Sequence, residues 1–379
     1  MKKKSLVIVL AACLLLTGCA SWMDGQYVSV KPHTEQGYRD SDGIIEVKGY
    51  TQLHTALREM VENGAENAVI SGTDMDGDAL ERNMERVIQN LKSNNPICAY
   101  AVDKISYERG SLGGMDTMAV TVSYNHNRSE ILRIRHVNGI EAATALIESA
   151  LRQMDASMVV RVSDYQNTDY AQIVQDYAMK NPDQVMEVPQ VTANVYPNNG
   201  NDRLVELIFN YQSSRESLKM MQNYVQPVFT SSALYVIGEE ENSIKFAKIY
   251  AFLMDTADYT INTSITPAYS LLRHGVGDSK AFATVYARMC ERAGLTCLVV
   301  SGTRDAEPRF WNIILEDGVY YHVDLLQSNE DGDYRKLSDA EMGEYVWDYD
   351  AYPACGAVEE NTDTTENTDT TEETTGDAE

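Results

Sequence analysis

Arg309-Phe310-Trp311-Asn312-Ile313-Ile314-Leu315-Glu316-Asp317-Gly318-Val319-Tyr320-Tyr321-His322-Val323-Asp324 decides how the last third of this chain folds. Asp317-Gly318 is a two-residue turn signal between two strand-like runs, so residues 309–316 and 319–326 are expected as a β-hairpin. In that register Glu316 faces Val319, Trp311 faces Asp324, and Arg309 faces Leu326. Side chains alternate along a strand, which puts Arg309, Trp311, His322, Asp324 and Leu326 on one face. Arg309 and Asp324 become diagonal neighbours, close enough for a bidentate ion pair. Upstream, Ser243–Leu253 has an amphipathic helical pattern, and Ala268–His274 is a second helix ended by Gly275 and Gly277. Asp278, a good capping type, opens a third helix over Ser279–Ala293. A strand is expected over Thr296–Ser301.

These pieces have a family resemblance. Ala268-Tyr269, Leu272, Gly275, Gly277, Ala283, Cys290, Ala293-Gly294 and Cys297, followed by Arg309-Phe310-Trp311-Asn312 and Tyr321-His322-Val323-Asp324, resemble the bacterial transglutaminase-like superfamily over residues 245–353. The resemblance implies an α+β, papain-like domain carrying a Cys-His-Asp triad. In such a triad a thiolate forms at a helix N-terminus, a histidine on a neighbouring strand takes its proton, and an aspartate orients the histidine. Here the three positions read Ser279, Arg309 and Asp324. A serine hydroxyl stays protonated unless a base sits beside it. Arginine cannot be that base, because it keeps its proton near neutral pH. The resemblance therefore implies a degenerate triad and a pseudoenzyme, with no catalytic residue expected. Three rescues are conceivable. His322 could serve Ser279 as base, giving a weak hydrolase or peptidase, although a histidine two positions before the aspartate also accompanies intact triads in this superfamily. Lys280 could assist Ser279, but adjacent helical residues point to different faces. Cys290 could be a displaced nucleophile, but it lies about three helical turns away.

The N-terminus leads to the expectation of an extracytoplasmic chain. Lys2, Lys3 and Lys4 precede an apolar run over Ser5–Leu16 that is too short to span a bilayer. Leu16-Thr17-Gly18-Cys19 resembles a lipobox, which implies a signal peptide over 1–18 and an acylated Cys19 anchoring the mature chain to the bacterial membrane. Net charge is −26, and loss of the three signal lysines takes it to −29. Such a balance excludes nucleic acid and flat binding to anionic lipid, which call for Lys and Arg. Cys13 leaves with the signal. Cys98, Cys290, Cys297 and Cys355 remain and permit two disulfides in three connectivities. Cys290–Cys297 and Cys98–Cys355 are the expected pairs, with four unpaired thiols the alternative.

Residues 19–43 read as a tether. Two tandem α+β repeats follow, over 44–133 and 134–218. In the first, Leu53, Leu57, Met60 and Val61 mark a helix, and Asn67–Ser71 a strand. Asp78 opens a second helix that Asn95-Pro96 stops, and strands are expected around Ala99–Ser106 and Met118–Tyr124. The same order returns with a helix around Ala145–Ile147, a strand over Met158–Val162, a helix from Asp169 to Asn181-Pro182, and strands over Val185–Val195 and Leu204–Tyr211. The transglutaminase-like domain spans 219–354. In the tail, 355–379, Glu360-Asn361-Thr362-Asp363-Thr364-Thr365 repeats at 366–371 and aromatic residues are lacking, a composition expected to be disordered.

No zinc spacing, phosphate loop or dinucleotide fingerprint is present, so neither cofactor nor metal is expected. Asp74, Asp76, Asp78 and Glu85 fall at EF-hand positions, but the sharp-turn glycine is replaced by Ala79, and helix capping explains the acids as well. Tyr outnumbers Phe 23 to 6, which suits wet contact surfaces. The expected function is a cell-surface lipoprotein whose inactive domain binds an extracytoplasmic protein or peptide in the old substrate cleft, through Ser279 and Arg309. A structural spacer is the further alternative. An open groove at 279, 309 and 324 favours binding and a filled one favours the spacer.

Overall fold

The computed structural model describes residues 43–254 and 260–356. The signal peptide, Cys19, the tether before residue 43 and the tail from 357 onward lie outside the described residues. The described chain divides into two compact units.

The first unit comprises the residues up to 89 together with 103–124. Its sheet holds β1 (Ile44–Val47), β2 (Asn67–Gly72), β3 (Val102–Leu112) and β4 (Met115–Tyr124) in the order β1-β2-β4-β3. β1 and β2 are parallel and β2 and β4 antiparallel. A parallel pair needs a crossover, and helix Tyr50–Glu62 supplies it. The apolar spacing picks out the buried face of that helix: Leu53, Leu57, Met60 and Val61. The acids at 74–78 stand where helix Gly77–Asn94 begins. Asp76, not Asp78, caps it, accepting the Ala79 N–H at 2.7 Å. Asp78 pairs with Arg109 at 2.7 Å. Capping and pairing thus account for the two central acids of the EF-hand-like pattern.

The second unit comprises 90–102 and the residues from 125 onward. Asn95-Pro96 starts a new helix here. Asn95 Oδ1 accepts the Cys98 N–H at 2.8 Å and caps helix Pro96–Ala101, so the strand expected from Ala99 begins only at Val102. The unit's first sheet has β5 (Arg135–Asn138), β6 (Ser157–Ser163), β7 (Gln190–Tyr196) and β8 (Arg203–Asn210) in the order β5-β6-β8-β7. As in the first unit, the first two strands run parallel, and the second and fourth antiparallel. The strand expected from Val185 starts at Gln190, because the residues before it form a buried loop. Within that loop Glu187 accepts the amides of Gln212 and Ser213 at 2.5 and 3.0 Å. Asp183, with no exposed surface, binds Arg288 Nε at 2.8 Å and Arg292 Nη2 at 2.5 Å. Buried charge demands such partners.

Helices Arg215–Tyr235, Asn242–Met254, Pro267–His274 and Ser279–Arg292 follow, with β9 (Thr260–Ile261) parallel to β10 (Val276–Gly277). The last sheet is β13-β12-β11-β14, from β11 (Cys297–Arg304), β12 (Glu307–Glu316), β13 (Val319–Val323) and β14 (Tyr345–Trp347). The hairpin has the expected register, with Glu316 opposite Val319 and Ile313 opposite His322. Asp317 and Gly318 both take positive φ (51° and 84°), as a twist-matched two-residue turn requires. β13 stops at Val323, three residues early. Asp324 leaves the strand and caps helix Leu325–Asp331, accepting the Leu326 and Gln327 amides at 3.0 and 3.1 Å.

The two faces of this sheet bury different things. Helix Ser279–Arg292 covers one, where Ile314 and Val323 pack with Phe282, Val285, Tyr286 and Met289, and Asn312 Nδ2 donates to the Ala283 carbonyl at 2.9 Å. The other buries Trp311 and Ile313 among Val300, Met342, Tyr345, Trp347 and Cys355.

Candidate functional site

Ser279 is the first residue of its helix, just after the cap Asp278, whose Oδ1 accepts the Ala281 N–H at 2.9 Å. Its Oγ accepts the Phe310 N–H at 3.2 Å, so the helix start is tied to β12 beside Arg309. Arg309 and Asp324 form the bidentate pair expected from the hairpin: Nε–Oδ2 is 2.7 Å and Nη2–Oδ1 is 2.8 Å. Tyr345 donates its hydroxyl to Asp324 Oδ2 at 3.0 Å. With the two cap amides, the Asp324 carboxylate accepts five hydrogen bonds while its side chain is only 3% exposed. Burial weakens the charge on Arg309. The hydrogen bonds and attraction of Asp324 outweigh it, and the guanidinium is held above its ordinary value.

The structure brings Ser279 and Asp324 to the lining of one small space, together with Phe282, Phe310 and Leu326. That space has no room for a water molecule. Of the two outcomes weighed for 279, 309 and 324, the space between Ser279 and Asp324 matches the filled one.

His322 does not meet Ser279, which corrects the rescue considered from sequence. It lies opposite Ile313, on the sheet face turned away from the Ser279 helix. Both ring nitrogens are engaged there: Trp311 Nε1–H donates to Nδ1 at 2.9 Å, and Nε2 stands 2.8 Å from Asp339 Oδ1. An indole nitrogen only donates, so Nδ1 is the acceptor and the ring's proton sits on Nε2, facing Asp339. Burial lowers the His322 pKa, with Asp339 partly opposing it, so the ring is neutral near pH 7.

His322, Asp339 and Cys355 also place ligand-type atoms within 4.8 Å of one another. Three such atoms are the beginnings of a zinc-like set. The Trp311 bond, however, keeps the Nε2 proton where a metal would need a lone pair. The Cys355 thiol is pushed up to about 12 by burial and by Asp339. The trio fits a hydrogen-bonded network better than a metal centre.

Cys98, Cys290, Cys297 and Cys355 are free thiols, so neither expected disulfide is formed. Cys290 has no exposed surface, and burial raises its thiol well above the ordinary value. That leaves Cys290 inert as a displaced nucleophile. Cys355 packs in the Trp311 cluster, to which Cys98 does not belong. The Lys280 ammonium lies over the Phe310 ring, 5.4 Å from its centroid, and no hydrogen bond joins it to Ser279 among the described residues. Tyr345 and Asp339 were not identified from sequence. Both come from the segment after the hairpin, and no local pattern signals which groups it returns to.

Residues 233–329 match the family model of the transglutaminase-like superfamily. No curated protein matches the chain. Among solved structures, a candidate protease from Parabacteroides distasonis aligns over 68% of this chain and 39% of its own, at 10% identity and a TM-score of 0.23. This chain therefore spans well under half of that protein's length. The crystal structure of a TGase aligns over 74% of this chain and 78% of its own, at 9% identity and a TM-score of 0.24. At such scores neither alignment adds to the assignment, which rests on the family match. The helix Ser279–Arg292 and the hairpin beside it lie within the matched residues, and the chain carries a transglutaminase-like superfamily domain at 233–329.

Proposed function

We propose that this is a lipid-anchored, extracytoplasmic protein whose transglutaminase-like domain is catalytically silent and serves as a protein- or peptide-binding module. The observation that carries this reading is the Arg309–Asp324 pair. A permanently charged guanidinium stands where the resemblance puts the proton-accepting histidine, and the orienting aspartate is fully engaged in holding it. Ser279 is left with a backbone amide and, among the described residues, no base. Two tandem copies of one α+β module precede the domain in this reading, supported by the matching strand order of the first two sheets. Amine-incorporation and peptidase assays on the purified protein should show no turnover. Turnover that Ser279→Ala abolishes would refute silence. Membrane fractionation tests the anchor: a Cys19→Ala variant should be released, and unchanged membrane retention would count against acylation.

The closed space beside Ser279 argues against peptide binding in the old cleft and favours, as a second reading, a spacer that holds a partner away from the membrane. Cross-linking in intact cells separates the two, since a binding module yields a discrete adduct through this domain and a spacer does not.

A further inference from the structure

Also lined by residues of the Ser279 helix start is a groove of about 340 Å³, at the lower end of the range of small-ligand sites. It is separate from the closed space: Lys280 and Thr284 line the groove, whereas Phe282 and Ala283 line the closed space. One wall is apolar and comes from residues outside the family match. There Val185 and Met186 are buried, and Val188 is 44% exposed. The facing wall is polar, with Thr263, Asp278 and Lys280. Asp278 is committed, since its two oxygens take the Ala281 amide and the Thr263 hydroxyl at 2.9 and 3.2 Å. The Lys280 ammonium has the Phe310 ring beside it and forms no ion pair among the described residues.

We propose that this groove binds the C-terminal carboxylate of a peptide ending in branched apolar residues. The carboxylate would lie on Lys280 and the apolar side chains on Val185, Met186 and Val188. An apolar wall next to a cation that has a ring contact but no carboxylate partner among the described residues is complementary to that pairing of charge and apolar surface. The hydroxyl-bearing wall suits the amides of a peptide better than an alkyl chain, which has no polar groups to offer it. The proposal rests on the binding-module reading above and names its site.

The test uses the full chain with selectively labelled methyl groups, titrated with N-acetyl-leucyl-leucine and its C-terminal amide. The free acid should shift the Val185, Met186 and Val188 methyl signals, with the amide binding at least about tenfold more weakly. Lys280→Gln should remove the difference between acid and amide while leaving the fold intact by circular dichroism. Octanoate should bind more weakly than the dipeptide. Absence of methyl shifts at millimolar ligand, equal binding of acid and amide, or a preference for octanoate would each overturn the proposal. None of these results bears on catalytic silence, which the turnover assays test separately.

Discussion

Removing the Arg309 side chain would leave the Asp324 carboxylate inside the protein without its counter-charge. Only Tyr345 and two cap amides would then hold it. Breaking a buried pair from one side commonly costs about 3–5 kcal/mol, and the 18% exposure of Arg309 puts the lower end in view. We expect Arg309→Ala to lower the denaturant midpoint by an amount worth about 3 kcal/mol. An unchanged midpoint would mean that the pair contributes little. His322 gives a second prediction at this scale. Its folded pKa lies below the ordinary 6.5, so the unfolded chain binds more protons between those two values. The contribution is complete above about pH 6.5 and falls away on acidification toward the depressed folded value. His322→Gln can still accept from Trp311 and donate to Asp339. It should melt like the parent at pH 7.5 and lose less stability between pH 7 and 5. Parallel melting curves for parent and variant across that range would show that His322 is not the titrating group.

Elements were legible in the sequence where the pattern was local. The Asp317-Gly318 turn set the hairpin register, and the Arg309–Asp324 pair anticipated from it forms, although Asp324 reaches Arg309 from a helix cap just beyond the strand. The helix after Asp278 was legible from its cap. What the sequence did not reveal depends on tertiary partners. β13 ends at Val323 because Asp324 takes helix amides, and nothing in a strand pattern forecasts that exchange. The helix Pro96–Ala101 hides in a run that also suits a strand, and the Asn95 cap decides it. The loop before β7 looks like a strand because its apolar residues are buried, but the buried acids Asp183 and Glu187 hold it in another shape. Gly302 shows how tightly β11 is built. A methyl group there would collide with the Val346 carbonyl on β14 and with the Trp311 ring. Overpacking of this kind costs about 1–3 kcal/mol, so Gly302→Ala should lower the melting temperature and weaken protection of β14 amides from exchange. Normal protection of β14 in that variant would contradict the packing described.

Across the second unit, Asp183 joins the loop after helix Tyr170–Lys180 to the helix that begins at Ser279, through Arg288 and Arg292. Gln226 adds a bond from helix Arg215–Tyr235 to the Asp183 carbonyl at 2.7 Å. The module around β5–β8 and the transglutaminase-like domain should therefore unfold together. Asp183→Ala, which strands two arginines, should cost about 3–5 kcal/mol and lower one shared transition. Separate transitions, with the domain unaffected, would show that the joint is loose. The account as a whole turns on catalytic silence, and quantitative amine incorporation by the purified protein and its Ser279→Ala variant tests it most directly. The account predicts the same background rate for both; a rate above background in the parent that disappears in the variant would contradict it.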